Sequence, residues 1–132
     1  MTVIVVDASA LAKVLLQEEG WEGVELTART ATLDHALIEA LNAVWKAAIL
    51  GKLGKDDAME RVEALKLISR GLLVFKAQEH FNRSMEIALA EKLTIYDAVY
   101  IALAEQLGTE LQTSDTKQFY AAKKYVKAKL IK

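Results

Sequence analysis

Short hydrophobic runs typical of buried strands alternate along this chain with longer segments of helical periodicity. The first run, residues 3–6, is entirely β-branched, and Asp7 follows it directly. Further strands are predicted at residues 30–33, 72–75, 110–113 and 126–131. Because strands separated by helices usually pair in parallel through crossover connections, the alternation predicts an α/β fold. We expect a three-layer α/β/α sandwich with a mostly parallel five-stranded sheet.

Helices are indicated where apolar residues recur every three or four positions. They are predicted at residues 9–16, 34–50, 56–69, 78–91 and 95–107, and another begins near Lys117. Ser9 is the expected N-cap of the first helix. The side chains of Trp45, Phe81 and Met85 would suit either the core or a protein partner.

The composition is that of a globular protein, and we expect a single domain over residues 1–132. Hydrophobic residues make up 53% of the chain and charged residues 27%, and no uncharged stretch is long enough to span a membrane. No basic region precedes the first apolar run, so a signal peptide is not expected. The absence of cysteine excludes disulfides and thiolate metal sites, which favours a cytoplasmic location.

Four widely separated acids stand where a βα pattern would bring them to one end of a parallel sheet: Asp7, Glu39, Asp97 and Asp115. At an average spacing of about 6 Å and an effective dielectric of about 20, each pair would repel by roughly 3 kcal/mol. The total, on the order of 15 kcal/mol, rivals the whole stability of a domain. Such a cluster therefore requires shared protons or a bound cation. All-oxygen ligands favour Mg²⁺ or Mn²⁺, and with only His35 and His80 as nitrogen ligands a zinc site is not expected.

Each acid also has an ordinary structural interpretation. Asp7 could simply cap a helix, and Asp115 could be a turn residue. Asp97 stands three residues after Thr94, which is the spacing of a capping box. Glu39 belongs to a stripe at helical spacing that a solvated helix face would also show: His35, Glu39, Asn42 and Lys46. The combination of the four acids is therefore more informative than any one of them.

The charge is distributed unevenly along the chain. The formal net charge is only −1, yet no acid follows Asp115 and six lysines do: Lys117, Lys123, Lys124, Lys127, Lys129 and Lys132. A basic tail beside an acidic cluster could hold the phosphates of a nucleic acid. Lysines on a terminal strand are equally typical of an edge that resists pairing with other sheets, and the sequence leaves both interpretations open.

Four segments contain the four acids: residues 5–11 (VVDASAL), 37–42 (LIEALN), 96–104 (YDAVYIALA) and 111–115 (LQTSD). In order and spacing they resemble the four acidic motifs of the PIN-domain family over essentially the whole chain, and the last two are the most specific. The likeness is to the small, single-domain toxin ribonucleases of VapBC-type toxin–antitoxin pairs. It implies a PIN-like fold and an endoribonuclease that depends on Mg²⁺ or Mn²⁺. Such proteins are usually homodimers and are usually neutralised by a small antitoxin protein.

The resemblance assigns catalytic and metal-binding roles to the acidic quartet, Asp7, Glu39, Asp97 and Asp115. Ser9 and Thr113 match hydroxyl positions of the family and would orient carboxylates and water. The implied reaction is hydrolysis of an RNA phosphodiester bond by a metal-activated water, with either one or two ions.

Contacts to the RNA are less well defined by the sequence. Lys13 and Lys117 are near enough in sequence to the acids to be candidate phosphate contacts. Tyr96 and Tyr100 are candidates to stack on bases, although at helical spacing they could equally be core residues.

Other protein classes place acids at strand ends too. A phosphoaspartate receiver would need an acid at the end of the third strand, where Lys76 stands instead. A haloacid-dehalogenase-like phosphatase would need a second Asp two residues after Asp7, at the position of Ser9. A PIN-like fold that binds without catalysing remains open, because all four acids are present.

Overall fold

A computed structural model describes residues 3–132, in which five strands form one sheet. The strands are β1 (Ile4–Val6), β2 (Thr30–Leu33), β3 (Leu73–Phe75), β4 (Glu110–Thr113) and β5 (Ala128–Leu130). Their order is β3-β2-β1-β4-β5, and every neighbouring pair is parallel. The α/β fold predicted from the sequence is confirmed, with a sheet that is parallel throughout.

Within residues 3–132, six α-helices and two 3₁₀ turns connect the strands. The helices are α1 (Ala8–Leu15), α2 (Asp34–Ile49), α3 (Lys55–Arg70), α4 (Phe81–Glu91), α5 (Ile95–Leu107) and α6 (Thr116–Ala122), and the 3₁₀ turns are Trp21–Gly23 and Ala77–His80. The first three helices pack against one another, whereas α4 packs on α5, which contacts β1 and β4. Right-handed crossovers put these two groups on opposite faces of the sheet, as in a three-layer sandwich.

The direction of strand addition reverses between β1 and β4. The chain runs outward from β1 through β2 to β3 and then returns to β4 on the other side of β1. In open α/β sheets, ligands bind beyond the carboxyl ends of the strands at such a switch point. Asp7 follows β1 and Asp115 lies two residues after β4, so both acids are at this position.

The strand order also excludes the receiver-type alternative. Receivers of the flavodoxin-like type have the order 2-1-3-4-5, in which the third strand lies beside the first. Here β3 lies at the edge of the sheet, and Lys76 rather than an acid follows it.

Helix α4 does not use its large side chains to fill the core. Its buried residues are Ser84, Ile87 and Ala88, while Phe81 and Met85 are 55% and 50% exposed. Trp45 on α2 is likewise exposed. The face of α4 that packs against α5 carries two small residues and Ile87, and the other large side chains are left on the surface. The sequence left open whether these side chains belong to the core or contact a protein partner. Their exposure excludes the core.

The other edge of the sheet is formed by β5. Lys127 and Lys129 are exposed there, which is the arrangement expected of lysines that protect an edge strand. Among residues 3–132, no helix is long and apolar enough to cross a membrane.

Candidate active site

Asp7 joins the central strand to the first helix. It is the N-cap of α1, and its Oδ1 atom accepts hydrogen bonds from Ala10 N at 3.0 Å and from Ser9 Oγ at 2.6 Å. The sequence predicted Ser9 as the N-cap, and this prediction is wrong: Asp7 caps the helix, and the hydroxyl of Ser9 donates to the Asp7 carboxylate. Burial raises the pKa of Asp7 from 3.8 to about 6, although hydrogen bonds from Ser9, Thr113 and Ala10 oppose the shift.

The hydroxyls of Ser9 and Thr113 connect the turn after β1 to the turn after β4. Their Oγ and Oγ1 atoms are 3.1 Å apart. Ser114 N donates to Ser9 Oγ at 2.9 Å, and Asp115 N donates to Thr113 Oγ1 at 3.1 Å. These contacts hold the two acid-bearing turns in a fixed relation to each other.

Asp115 and Asp97 are linked through Gln118, a residue that the sequence did not single out. Asp115 is the N-cap of α6, and its Oδ1 atom accepts from Gln118 N at 3.1 Å. The fully buried side chain of Gln118 donates from Nε2 to the backbone oxygen of Asp97 at 2.8 Å. The one sequence signal for Gln118 was its place three residues after Asp115, where an N-cap finds its backbone partner.

Asp97 lies in the first turn of α5, one turn after its cap. Thr94 is the N-cap, and its Oγ1 atom accepts from Asp97 N at 3.4 Å. The pKa of Asp97 is raised above its ordinary value, first by burial and then by the negative charges of Asp115 and Glu39. Lys117 partly offsets this shift. Such charge effects require short distances, so three of the four acids and Lys117 lie near one another.

Glu39 projects from α2 between two ring side chains. His35 Nε2 lies 2.7 Å from Glu39 Oε1. Tyr100 OH donates to the same oxygen at 3.4 Å. Contact with Glu39 raises the pKa of His35, and burial raises the pKa of Tyr100, which keeps the phenol a neutral donor. The sequence placed His35 and Glu39 on one helix face but did not indicate that the rings of His35 and Tyr100 both contact the Glu39 carboxylate.

All four acids line one cavity of about 250 Å³ at the carboxyl ends of the strands. Its lining residues are Asp7, Ala8, Ser9, Ala12, Glu39, Ala43, Asp97, Tyr100 and Asp115. Among residues 3–132, however, no three His, Asp or Glu side chains come close enough together to hold one metal ion. The carboxylates of Asp7, Asp115 and Glu39 accept hydrogen bonds from the protein, and the metal site stays a prediction.

The donor chemistry of the cavity fits a hard divalent cation. The available ligands are carboxylate and hydroxyl oxygens, which suit Mg²⁺ or Mn²⁺. Burial and neighbouring negative charges raise the pKa values of Asp7 and Asp97. A bound cation would lower these pKa values, because its positive charge would stabilise the ionised carboxylates.

The four candidate substrate contacts are placed differently. Neither Lys117 nor Lys13 lines the cavity. The charge of Lys117 lowers the pKa of Asp97, so Lys117 lies within range of that carboxylate, whereas the Lys13 side chain is turned towards Gly20. Tyr96 is 66% exposed and can reach a base, whereas Tyr100 is 1% exposed. The suggestion that Tyr100 stacks on RNA is therefore wrong, because its ring is packed inside the protein.

Comparison with known proteins gives a consistent result. The PIN domain, as a sequence family, matches residues 4–125. The Ribonuclease VapC3 of Pyrobaculum aerophilum is 39% identical over 116 residues, which cover 85% of this chain and 88% of the relative. The Exonuclease VapC9 of the same organism is 32% identical over 112 residues, which cover 83% of this chain and 78% of the relative.

Solved structures match over most of the chain as well. A protein from Pyrobaculum aerophilum superimposes with a TM-score of 0.73 at 29% identity, covering 96% of this chain and 89% of its own. A toxin–antitoxin complex from Klebsiella pneumoniae gives a TM-score of 0.58 at 18% identity, covering 88% of this chain and 89% of that one. At that identity, the second match supports the fold alone.

Proposed function

The chain belongs to the PIN-domain family, and from that premise we propose that it is a divalent-metal-dependent endoribonuclease, the toxin of a type II toxin–antitoxin pair. The observation that supports this most directly is the shared cavity. Asp7, Glu39, Asp97 and Asp115 come from four separated parts of the chain, and all four line it. The match to a relative named as a ribonuclease, at 39% identity, supports RNA as the substrate.

The four carboxylates are the groups that would hold the cation, Mg²⁺ or Mn²⁺. When bound, the cation would supply a lowered pKa for a water ligand and neutralise charge on the scissile phosphate. Ser9 and Thr113 keep the carboxylates of Asp7 and Asp115 in register through the contacts between their turns. Tyr100 restrains Glu39 from the other side.

Lys117 is the side chain best placed to meet the phosphate. It is exposed and acts on Asp97 through its charge, so it can neutralise a phosphate oxygen at the mouth of the cavity. Tyr96, exposed and tilted against His35 with a 6.3 Å ring separation, offers a face on which a base can stack.

The proposal includes two protein partners and a cellular location. A small antitoxin protein follows from the resemblance to the toxin ribonucleases of VapBC-type pairs, and the 39% identity to the Ribonuclease VapC3 supports it. A second copy of the chain is supported by exposed apolar side chains on α4: Phe81, Met85 and Leu89. An RNA substrate and the lack of cysteine favour action in the cytoplasm. Light scattering of the purified chain, alone and with an antitoxin, measures both associations.

Cleavage of a circular single-stranded RNA tests the reaction, because an exonuclease has no end to start from. We expect cleavage with Mg²⁺ or Mn²⁺, none in EDTA, and a loss of more than about 100-fold in Asp97→Asn and Asp115→Asn, since each removes a charge from the cation site. Asp57→Asn is the matched control, because Asp57 lies in the first turn of α3 and does not line the cavity.

Three outcomes would count against the proposal in different ways. Cleavage of linear but not circular RNA would make the protein an exonuclease. RNA binding without cleavage under any cation would favour the inactive binding module. Cleavage that survives both site substitutions would remove the assignment of the acids.

A further inference from the structure

A groove lies next to the acid cavity, between α1, α2 and the turn that follows α2. Its volume is about 450 Å³, and its apolar lining includes Leu16, Ala47, Leu50 and Leu53. Two lysines, Lys46 and Lys52, stand among these apolar residues, together with one acid, Glu18. Neither the acid motifs nor the chemistry of cleavage accounts for this combination.

The groove and the acid cavity are neighbours that share part of their lining. Ser9, Ala12 and Ala43 line both. Because two of these three side chains are only methyl groups, the passage between the two spaces is not closed by bulky residues. A chain molecule with a phosphate at the acids can therefore continue into the groove.

One face of α2 runs along both spaces. Glu39 lines the acid cavity, Ala43 lines both, and Lys46 and Ala47 line the groove. With a rise of 1.5 Å per residue, Lys46 lies about 10 Å along the helix axis from Glu39. The stripe that looked in sequence like a plain solvated face thus leads from a candidate metal ligand to a candidate phosphate contact.

The lining has the chemistry of a nucleotide site. Apolar side chains can cover the face of a base, and the hydroxyls of Ser9 and Ser114 lie at the end nearest the acids. The two lysines outnumber the single acid, so the groove favours the negative charge of phosphates.

We propose that this groove is a nucleotide subsite, which receives the RNA residue next to the scissile phosphate while Lys46 and Lys52 contact a flanking phosphate. The proposal rests on the ribonuclease function proposed above. It assigns to the α1–α2 groove a role in substrate binding and in the preference for particular sequences.

A charge placed at the rim of the groove tests the proposal against a close control. Leu50→Glu introduces a negative charge into the lining, whereas Ile49→Glu introduces the same charge one residue away, at a side chain that does not line the groove. Both residues are exposed, at 61% and 66%, so neither change removes core packing. The affinity for a short fluorescent single-stranded RNA is measured by anisotropy in Ca²⁺, and cleavage in Mn²⁺.

We expect Leu50→Glu to weaken RNA binding about tenfold and Ile49→Glu to leave it nearly unchanged. In Lys46→Gln and Lys52→Gln, the slope of log affinity against log salt should shrink by about 0.7 for each lysine removed. Lys66→Gln, an exposed lysine of α3 outside the groove, should leave the slope unchanged.

The results separate this proposal from the broader function. If the unaltered protein cleaves RNA and the groove variants bind and cleave as their controls do, only the subsite is overturned, and the groove would serve another occupant such as a protein segment. If the unaltered protein neither binds nor cleaves RNA, both proposals fall.

Discussion

The carboxylate of Asp7 performs a structural task in a position that is unfavourable for its charge. It caps α1, yet the side chain is 3% exposed and burial raises its pKa to about 6. The unfolded chain has the ordinary value of 3.8, so the folded state holds the proton more tightly. Stability therefore falls as the pH rises from about 4 to about 6, and the loss is complete above that range.

Asp7→Asn should for this reason stabilise the protein in the absence of divalent cations. Asn is an equally good N-cap and carries no charge, so the free energy of unfolding at pH 8 should rise by about 2–3 kcal/mol. Near pH 3 the two proteins should be equally stable. Urea unfolding in EDTA at both pH values measures this, and a variant that is less stable at pH 8 would show that the charge of Asp7 is already compensated. The same substitution should abolish RNA cleavage.

Gln118 acts as a positioning residue for two of the acids. Its backbone nitrogen donates to Asp115 Oδ1 and its Nε2 atom donates to the backbone oxygen of Asp97. Gln118→Met keeps the volume and removes the side-chain donor, so the cation concentration for half-maximal cleavage should rise about tenfold. The free energy of unfolding, measured by thermal unfolding, should change by less than about 1 kcal/mol. A change in stability with an unaltered cation requirement would make the role purely structural.

At the scale of elements, α4 gives a direct test of which face is buried. Ile87 is 0% exposed and Leu89 is 74% exposed on the same helix. Ile87→Ala should cost about 2–5 kcal/mol because it leaves a cavity, whereas Leu89→Ala should cost no more than about 0.5 kcal/mol in the monomer. Similar losses in both variants, measured by urea unfolding at low protein concentration, would contradict the orientation of α4.

Element type was predictable from the sequence because periodicity and strand ends are local signals. Helix α5 was predicted with its observed bounds, 95–107, since Thr94 caps it and Gly108 ends it in a left-handed conformation. Which face of α4 is buried was not predictable, because the exposed residues Phe81, Met85 and Leu89 repeat at the same spacing as a buried stripe. Which stripe is buried depends on how closely α5 approaches, and that is decided by tertiary packing.

The convergence of the four acids on one cavity was predictable from the sequence, whereas the contacts that connect them were less so. Asp7, Asp97 and Asp115 lie at or near the starts of helices, where a local motif marks them, whereas Glu39 lies in the second turn of α2. Gln118 and the contact of His35 with Glu39 depend on distances between separate elements, so no local pattern reports them.

At the scale of the whole molecule, a cation would add a further link between four separated parts of the chain, which hydrogen bonds such as that from Gln118 to Asp97 already connect. At a concentration about 100 times its dissociation constant, a cation that binds only the folded state should stabilise it by about 2.7 kcal/mol. Mn²⁺ should therefore raise the melting temperature of the unaltered protein and have little effect on Asp97→Asn. Calorimetry measures both melting temperatures. Equal increases in the unaltered protein and in Asp97→Asn would indicate that Mn²⁺ binds elsewhere.

The parallel pairing of β1 with β4 joins the beginning of the chain to residues 110–113. Asp7 and Asp115 can therefore stand side by side only after all of the residues between them have been synthesised and β4 has paired with β1. A cleft that holds both acids is thus a late product of folding, and this delay is a consequence of the strand order.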